Sequence, residues 1–307
     1  MLVIDDNIIE NKENENYVAL GSFDGLHYGH LSLVRKTVQV AKEENGKSMV
    51  FTYKNHPKTL VSPENVPKLI MDLDTKLQYL EEENVDIVVL RTFTKEFMSI
   101  TAEDFIKLLC EDYNVKGIVV GFNFRFGHKN LGDVELLKKL QDKYGYKLYI
   151  IDPYTYEGEV ISSTRIRNVL LEGNVSKAID MLSKPYLIKG KVIHGKQLGR
   201  TIGVPTANLE FSDNMVIPSK GVYYTNVIYG NEKFKGLTSV GNNPTVNGTE
   251  LTIETFILNF DKMIYGEEIK VYFVQRIRDE VKFDSLDEMV DQIKKDEEFI
   301  KNRDIII

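Results

Sequence analysis

Two histidines, His27 and His30, stand three positions apart in GSFDGLHYGH (21–30), with Gly29 directly before the second. The chain has only five histidines, so the pairing asks for a reason. At this spacing two imidazoles project toward one region once a helical turn begins. Both can donate hydrogen bonds to phosphate oxygens, more strongly as negative charge builds in a transition state. Gly29 would remove a side chain where a phosphate approaches. The stretch fits neither GxGxxG nor GxxxxGKS/T, which sets aside the dinucleotide and P-loop readings. The plain alternative is a glycine-rich turn carrying two surface histidines.

A second stretch, ISSTRIRNVLLEGN (161–174), opens a helix with Ser162, Ser163 and Thr164 and then places Arg165 and Arg167 in its first turns. Hydroxyls at a helix start are ordinary caps. Cations there oppose the helix dipole. A bound anion would remove that conflict; a solvated arginine on a capped helix is the alternative.

A third stretch is GKQLGRTIGVPTANLEF (195–211). Gly195, Gly199 and Gly203 recur every four residues, with Lys196 and Arg200 between them. Free N–H groups and two cations suit a polyphosphate, although many hairpins are glycine-rich. Pro205 resists helix, so the following residues are expected to be extended. Thr206 and Asn208 then share one face and Ala207 takes the other. A hydroxyl and an amide oxygen side by side are hard donors for Mg²⁺ on nucleotide phosphates; a polar edge strand in water is the alternative. Glu254 lies in the apolar strand LTIETFILNF (251–260). Burial among such neighbours raises a carboxyl pKa unless it is partnered, which suits a general base for an alcohol. The alternative is an outward-facing glutamate on an alternating strand.

The elements that would position these residues fall into two rhythms. From 17 to 183 strands and helices alternate. YVALG, KSMVFTY, VDIVVLRTF, VKGIVVG and YKLYIID read as strands. Helices are expected over 31–46, 75–84, 101–114 and 133–145, with Thr101 and Asp104 suited to an N-terminal cap. Strands this apolar imply a parallel sheet covered on both faces. After SKP at 183–185, YLIKGKVI, GVYYTNVIY, FKGLTSVG, LTIETFILNF and IKVYFVQRI follow as short strands. Turns are expected at YGNE, GNNPTVNGTE and DKMIYGEE. This pattern reads as an antiparallel barrel or sandwich. An amphipathic helix with Leu286, Met289, Val290 and Ile293 on one side closes it. The expected domains are 1–184 and 185–307.

Composition removes several function classes. Net charge is −7 and pI about 5.4, against the basic face a general nucleic-acid binder needs. No apolar run approaches the roughly 20 residues that span a bilayer, and the acidic, Asn-broken start lacks a signal-peptide layout. The single cysteine, Cys110, excludes an intramolecular disulfide and fits a reducing cytoplasm.

Taken in order, HxGH (His27, Gly29, His30), GFNFRFGHKNLG (121–132) and ISSTRIR resemble the FMN adenylyltransferase module of prokaryotic bifunctional FAD synthetases, within the nucleotidylyltransferase superfamily. PTAN with its upstream loop, GVYYTNV, SVGNNPT, ETFILNF and YFVQRIRDEVKFDS resemble the riboflavin kinase module, over nearly all of 185–307. The first resemblance implies a Rossmann-like α/β domain in which FMN phosphate attacks the α-phosphorus of ATP, giving FAD and pyrophosphate, with Mg²⁺. It implies that His27 and His30 stabilise the pentacoordinate centre and that Ser163, Thr164 and Arg167 hold the β- and γ-phosphates. It also implies that Gly21, Phe23, Asp24, Gly25 and Gly29 border the nucleotide, with Asn123 near the reacting groups or the flavin.

The second resemblance implies a six-stranded barrel with a closing helix. There the γ-phosphoryl of ATP passes to the ribityl 5′-hydroxyl of riboflavin. Glu254 would be the base, and Thr206 and Asn208 the Mg²⁺ and phosphate contacts. The loop with Gly195, Lys196, Gly199, Arg200 and Gly203 would be the nucleotide flap. Arg276 matches a family position near the flavin; a barrel-rim ion pair is its other reading. One departure stands out: family members often read FDPHP where this chain reads TYKNHP, with Lys54 and Asn55 ahead of His56 and Pro57. The expected partners are ATP, riboflavin and FMN, with neither nucleic acid nor membrane. The competing readings are a chain with only the riboflavin kinase working and a flavin-binding regulator without catalysis. An RNA-binding barrel is disfavoured by the acidic pI.

Overall fold

The computed structural model describes residues 1–7, 14–195, 203–245 and 248–307. The chain divides into two compact units: Met1–Pro67 with Met71–Ser162, and Lys68–Ile70 with Ser163–Ile307.

The first unit is built on a six-stranded parallel sheet in the order β1-β4-β3-β2-β5-β6. Its strands are β1 (Leu2–Asp5), β2 (Asn16–Leu20), β3 (Lys47–Tyr53), β4 (Ile87–Arg91), β5 (Val115–Gly121) and β6 (Lys147–Ile151). The connecting helices are α1 (Tyr28–Glu43), the single turns α2 (Lys58–Val61) and α4 (Lys95–Met98), α3 (Leu73–Glu82), α5 (Ala102–Asp112) and α6 (Val134–Tyr144). A small hairpin, β7 (Thr155–Tyr156) with β8 (Glu159–Val160), follows.

Alternation along β2 explains why both faces are covered. Val18 and Leu20 pack with Phe105, Ile106 and Leu109 of α5. Tyr17 and Ala19 pack on the other face, with Leu31 and Val34 of α1. Thr101 caps α5 by accepting from the Asp104 N–H at 3.0 Å. Strand β1 escapes a sequence reading, because its acidic, asparagine-rich surroundings hide a three-residue apolar core. It pairs in parallel with β4, from Leu2↔Ile87 to Asp5↔Leu90.

In the second unit, α7 (Ser163–Leu171) and α8 (Val175–Met181) precede the barrel strands. These are β9 (Tyr186–Ile193), β10 (Thr206–Glu210), β11 (Gly221–Tyr229), β12 (Glu232–Thr245), β13 (Gly248–Ile257) and β14 (Glu268–Arg278). They close as an antiparallel barrel in the order β10-β13-β12-β11-β14-β9. The compact division falls at Ser162–Ser163, so α7 and α8 go with the barrel strands. The reason is packing: α8 lies on β14, where the Ser176 hydroxyl donates to Val274 O at 3.1 Å.

Inside the barrel, fully buried Thr225, Thr238 and Thr255 are linked Oγ to Oγ at 2.8 and 2.9 Å. Their neighbours along each strand therefore face outward, Glu254 among them. GNNPTVNGTE is mostly strand rather than turn, since β12 and β13 stay paired as far as Thr245↔Gly248. The closing helix α9 (Leu286–Lys301) is capped by Ser285, whose Oγ accepts from the Glu288 N–H at 3.2 Å.

The buried side of α9 differs from the expected stripe. Leu286 is 56% exposed, while Asp296 and Ile300 are buried. An aspartate can sit there because Arg278 of β14 donates Nε and Nη2 to Oδ2 at 2.9 and 2.7 Å, and Gln292 donates to Oδ1 at 2.9 Å. The tail rests on the barrel, with the Ile306 N–H donating to Asn226 Oδ1 at 2.9 Å.

Candidate active sites

The chain winds from β2 outward through β3 to β4, then returns to β5 on the other side of β2. Ligands of such sheets bind at the carboxyl ends of the strands flanking this reversal. Two segments singled out in the sequence emerge there: 21–27 after β2, and Phe122, Asn123 and Phe124 after β5. Asn123 is exposed.

The turn after β2 is tightly built. Phe23, Gly25 and Leu26 all have left-handed φ values, 51°, 84° and 38°. Phe23 is fully buried, with its ring against Gly21, and Asp24 is buried and accepts from the Met71 N–H at 3.2 Å. Helix α1 starts at Tyr28, three residues earlier than periodicity suggests, because His27 itself is the cap. His27 Nδ1 accepts from the His30 N–H at 3.2 Å. The two imidazoles stack at 3.7 Å between centroids, 18° from parallel, so both do reach one region. Gly29 serves the histidine directly, since a Cβ there would meet the His27 ring at 3.2 Å.

Burial lowers the His27 pKa to about 4. The ring is therefore neutral near pH 7. Because Nδ1 accepts the capping bond, the proton sits on Nε2, which makes Nε2–H a fixed neutral donor.

Lys54 does not add a free cation. It is paired with Asp5 and with Asp6, the latter at 2.6 Å. Burial alone would raise the Asp6 carboxyl pKa, but hydrogen bonds from Lys54 and Thr92 outweigh it and hold the pKa at about 2. Asn55 Oδ1 accepts from the Phe93 N–H at 2.8 Å, which ties the end of β3 to the loop after β4. Both departures from the family pattern are thus absorbed in local structure.

Ser163, Thr164 and Arg167 lie at the start of α7 in the second unit, where Arg167 Nε donates to Lys68 O at 2.6 Å. Thr164 is exposed.

On the barrel, strand register assembles the third group. Asn208 of β10 stands opposite Glu254 of β13, and Thr206 stands opposite Phe256. Thr206 Oγ1 donates to Glu254 Oε2 at 3.3 Å. Gly195 is needed beside them, because a Cβ there would fall 2.4 Å from Asn208 Nδ2. Gly203 takes a left-handed φ of 78°. Lys196, Gly199 and Arg200 lie outside the described residues.

Two cavities meet at Thr206. One, of about 260 Å³, is walled by Thr206, Ser239, Glu254, Arg278 and by Met289 and Ile293 of α9. The other, of about 870 Å³, is walled by Gly203, Thr206, Phe256, Asn259, Phe260 and Tyr265. Sequence reading missed the 259–265 wall and Arg278. Tyr265 announces itself only as a ring stacked on His194 at 3.8 Å. Arg276 lies elsewhere, in an ion pair with Asp279 at 2.6 Å.

Among the described residues no cluster of three or more His, Cys, Asp or Glu is arranged to hold a metal. Two neutral oxygens beside one carboxylate fit a Mg²⁺ that arrives on nucleotide phosphates, since Mg²⁺ is usually held by few protein oxygens plus phosphate.

The FAD synthetase family model matches residues 9–165, and the riboflavin kinase family model matches 182–303. Two modules of flavin-nucleotide chemistry on two folds define a two-module transferase. The bifunctional riboflavin kinase/FMN adenylyltransferase of Escherichia coli strain K12 is 37% identical over 282 residues, covering 91% of this chain and 90% of that one. The protein of the same description from Haemophilus influenzae is 36% identical over 286 residues, covering 92% of each. The chain belongs to the bifunctional riboflavin kinase/FMN adenylyltransferase family. A Streptococcus pneumoniae crystal structure described as a macrolide-efflux protein shares the whole fold, with a TM-score of 0.89 at 36% identity over 99% of this chain and 100% of that one. Efflux is that protein's description; no helix among the described residues here is long and apolar enough to cross a membrane.

Proposed function

We propose that this chain converts riboflavin to FMN on the barrel and FMN to FAD on the parallel-sheet module, each step using one ATP. The observation that carries the reading is the Thr206–Glu254 contact at 3.3 Å where two cavities meet. A phosphoryl donor and a phosphoryl acceptor need such adjoining spaces, with a base at the acceptor.

In the kinase step, Glu254 takes the proton of the ribityl 5′-hydroxyl in the smaller cavity. The oxygen bonds to the γ-phosphorus of ATP as the bond to the ADP oxygen breaks. The larger cavity holds the nucleotide, and Thr206 orients Glu254 at the boundary. Mg²⁺ supplies charge neutralisation on the phosphates when bound, and Thr206 Oγ1 and Asn208 Oδ1 are the oxygens that would hold it. The glycines at 195, 199 and 203, with Lys196 and Arg200, are the proposed nucleotide flap.

In the adenylyl step, an FMN phosphate oxygen bonds to the α-phosphorus of ATP and pyrophosphate leaves. His27 Nε2–H donates to the oxygens on which charge develops, and His30 stands stacked beside it. Ser163, Thr164 and Arg167 are the proposed contacts to the leaving phosphates. Gly21, Phe23, Gly25 and Asn123 border the substrates, and Asp24 shapes the turn from beneath. The cytoplasm, supplying ATP, is the proposed compartment.

The test is chromatography of the protein incubated with riboflavin, ATP and Mg²⁺. FMN is expected first and FAD after it. An absence of FMN would overturn the kinase assignment, and FMN that never becomes FAD would overturn the adenylyl assignment.

A further inference from the structure

Asp296 is a buried carboxylate that neither step uses. It lies on α9, only 3% exposed. Both oxygens are occupied: Oδ2 accepts from Arg278 Nε and Nη2 at 2.9 and 2.7 Å, and Oδ1 accepts from Gln292 at 2.9 Å. Arg278 Nη1 donates in turn to Asp279 O at 3.0 Å, so the guanidinium is held on two sides.

The pair adjoins the smaller cavity. Arg278 walls that cavity together with Glu254, and α9 adds Met289 and Ile293 to the same wall, while Asp296 stands behind it. Positions 289, 293, 296 and 300 share one face of a helix. The carboxylate therefore sets the rotation of the helix that carries both apolar wall residues. Apolar burial holds that end of α9 weakly: Leu286 is 56% exposed, Met289 and Ile293 are half-buried, and full burial is reached only at Ile300.

Burying an ion pair costs desolvation, and apolar residues of like volume often serve stability as well or better. What an apolar pair lacks is direction. A carboxylate gripped by two N–H groups of one planar guanidinium has a fixed geometry. Here that geometry falls beside a cavity where an acceptor hydroxyl must be aligned on its base.

We propose that Asp296 is a positioning residue for riboflavin phosphorylation: by gripping Arg278 it fixes the face of α9 that Met289 and Ile293 present to the acceptor. The inference rests on the kinase reading of the barrel. Asp296 itself touches no substrate.

The experiment compares two variants of the full chain. Asp296→Asn is expected to raise KM for riboflavin by about tenfold or more, within the scale of a small misplacement at a reacting site. KM for ATP, and FAD formation from supplied FMN, should stay at the wild-type values. The Met289 methyl NMR signal should broaden as the wall loses its single position. The double variant Asp296→Leu with Arg278→Met replaces the ion pair by apolar volume. It should hold or recover Tm while KM for riboflavin stays raised. A wild-type KM for riboflavin in Asp296→Asn would overturn the proposal. So would an equal rise in KM for ATP, which would mean that the whole barrel had loosened. Were Asp296→Asn to unfold, the double variant would decide, and recovery of both Tm and KM would overturn the proposal, since packing alone would then suffice. If even the wild type made no FMN, the kinase reading would fall separately. The Met289 signal would then decide, and an unchanged signal in Asp296→Asn would overturn the role of Asp296.

Discussion

The His27 site and the Glu254 site are assembled in opposite ways. His27, Gly29 and His30 lie within four residues, and one helix start builds the whole arrangement: the cap, the stacked rings and the tautomer. Thr206 and Glu254 lie 48 residues apart and meet only because β10 and β13 pair in one register. A slip of one residue would turn Glu254 inward, into the row of buried threonines. The first site depends on local capping and burial. The second depends on the closure of the barrel.

Substitutions that silence one site and spare the other sharpen this contrast. Glu254→Gln should lower FMN formation by roughly 100- to 10,000-fold, the range for a lost general base. Supplied FMN should still become FAD at the wild-type rate, as measured by chromatography. His27→Asn keeps a capping side chain and removes the ring donor. It should reduce FAD formation by roughly 100- to 1,000-fold while riboflavin phosphorylation continues.

These two predictions also mark what the sequence could disclose. His27 and His30 were legible because spacing alone brings them together, and the barrel strands because their alternation is strong. The closing helix misled at Leu286, because periodicity counts apolar residues and does not foresee that Arg278 would allow Asp296 to be buried. Arg278 and the 259–265 wall were not legible, since their places follow from how the barrel closes. The short strand β1 was hidden by its acidic flanks.

The pH dependence of stability gives a further test within the first unit. His27 titrates at about 4 in the folded chain and near 6.5 when unfolded. Between these values the unfolded chain holds the extra proton, so folding stability falls as pH drops from about 6.5 toward 4. This contribution is complete above that window. His27→Asn should flatten it in urea unfolding followed by a probe in the first unit. Asp6 acts lower, its contribution lost only as pH falls from about 3.8 toward 2. The smallest effect is expected at Lys54. Its pairs with Asp5 and Asp6 are exposed, so Lys54→Met should change FAD formation by no more than about twofold and leave stability nearly unchanged.

Complementation in trans tests the central claim most directly, namely that two chemically separate sites act in series. Neither Glu254→Gln nor His27→Asn alone should convert riboflavin to FAD at an appreciable rate. An equimolar mixture should do so, because FMN made by the second variant diffuses to the first. A mixture of the two folded variants that yields FMN but never FAD would contradict the account.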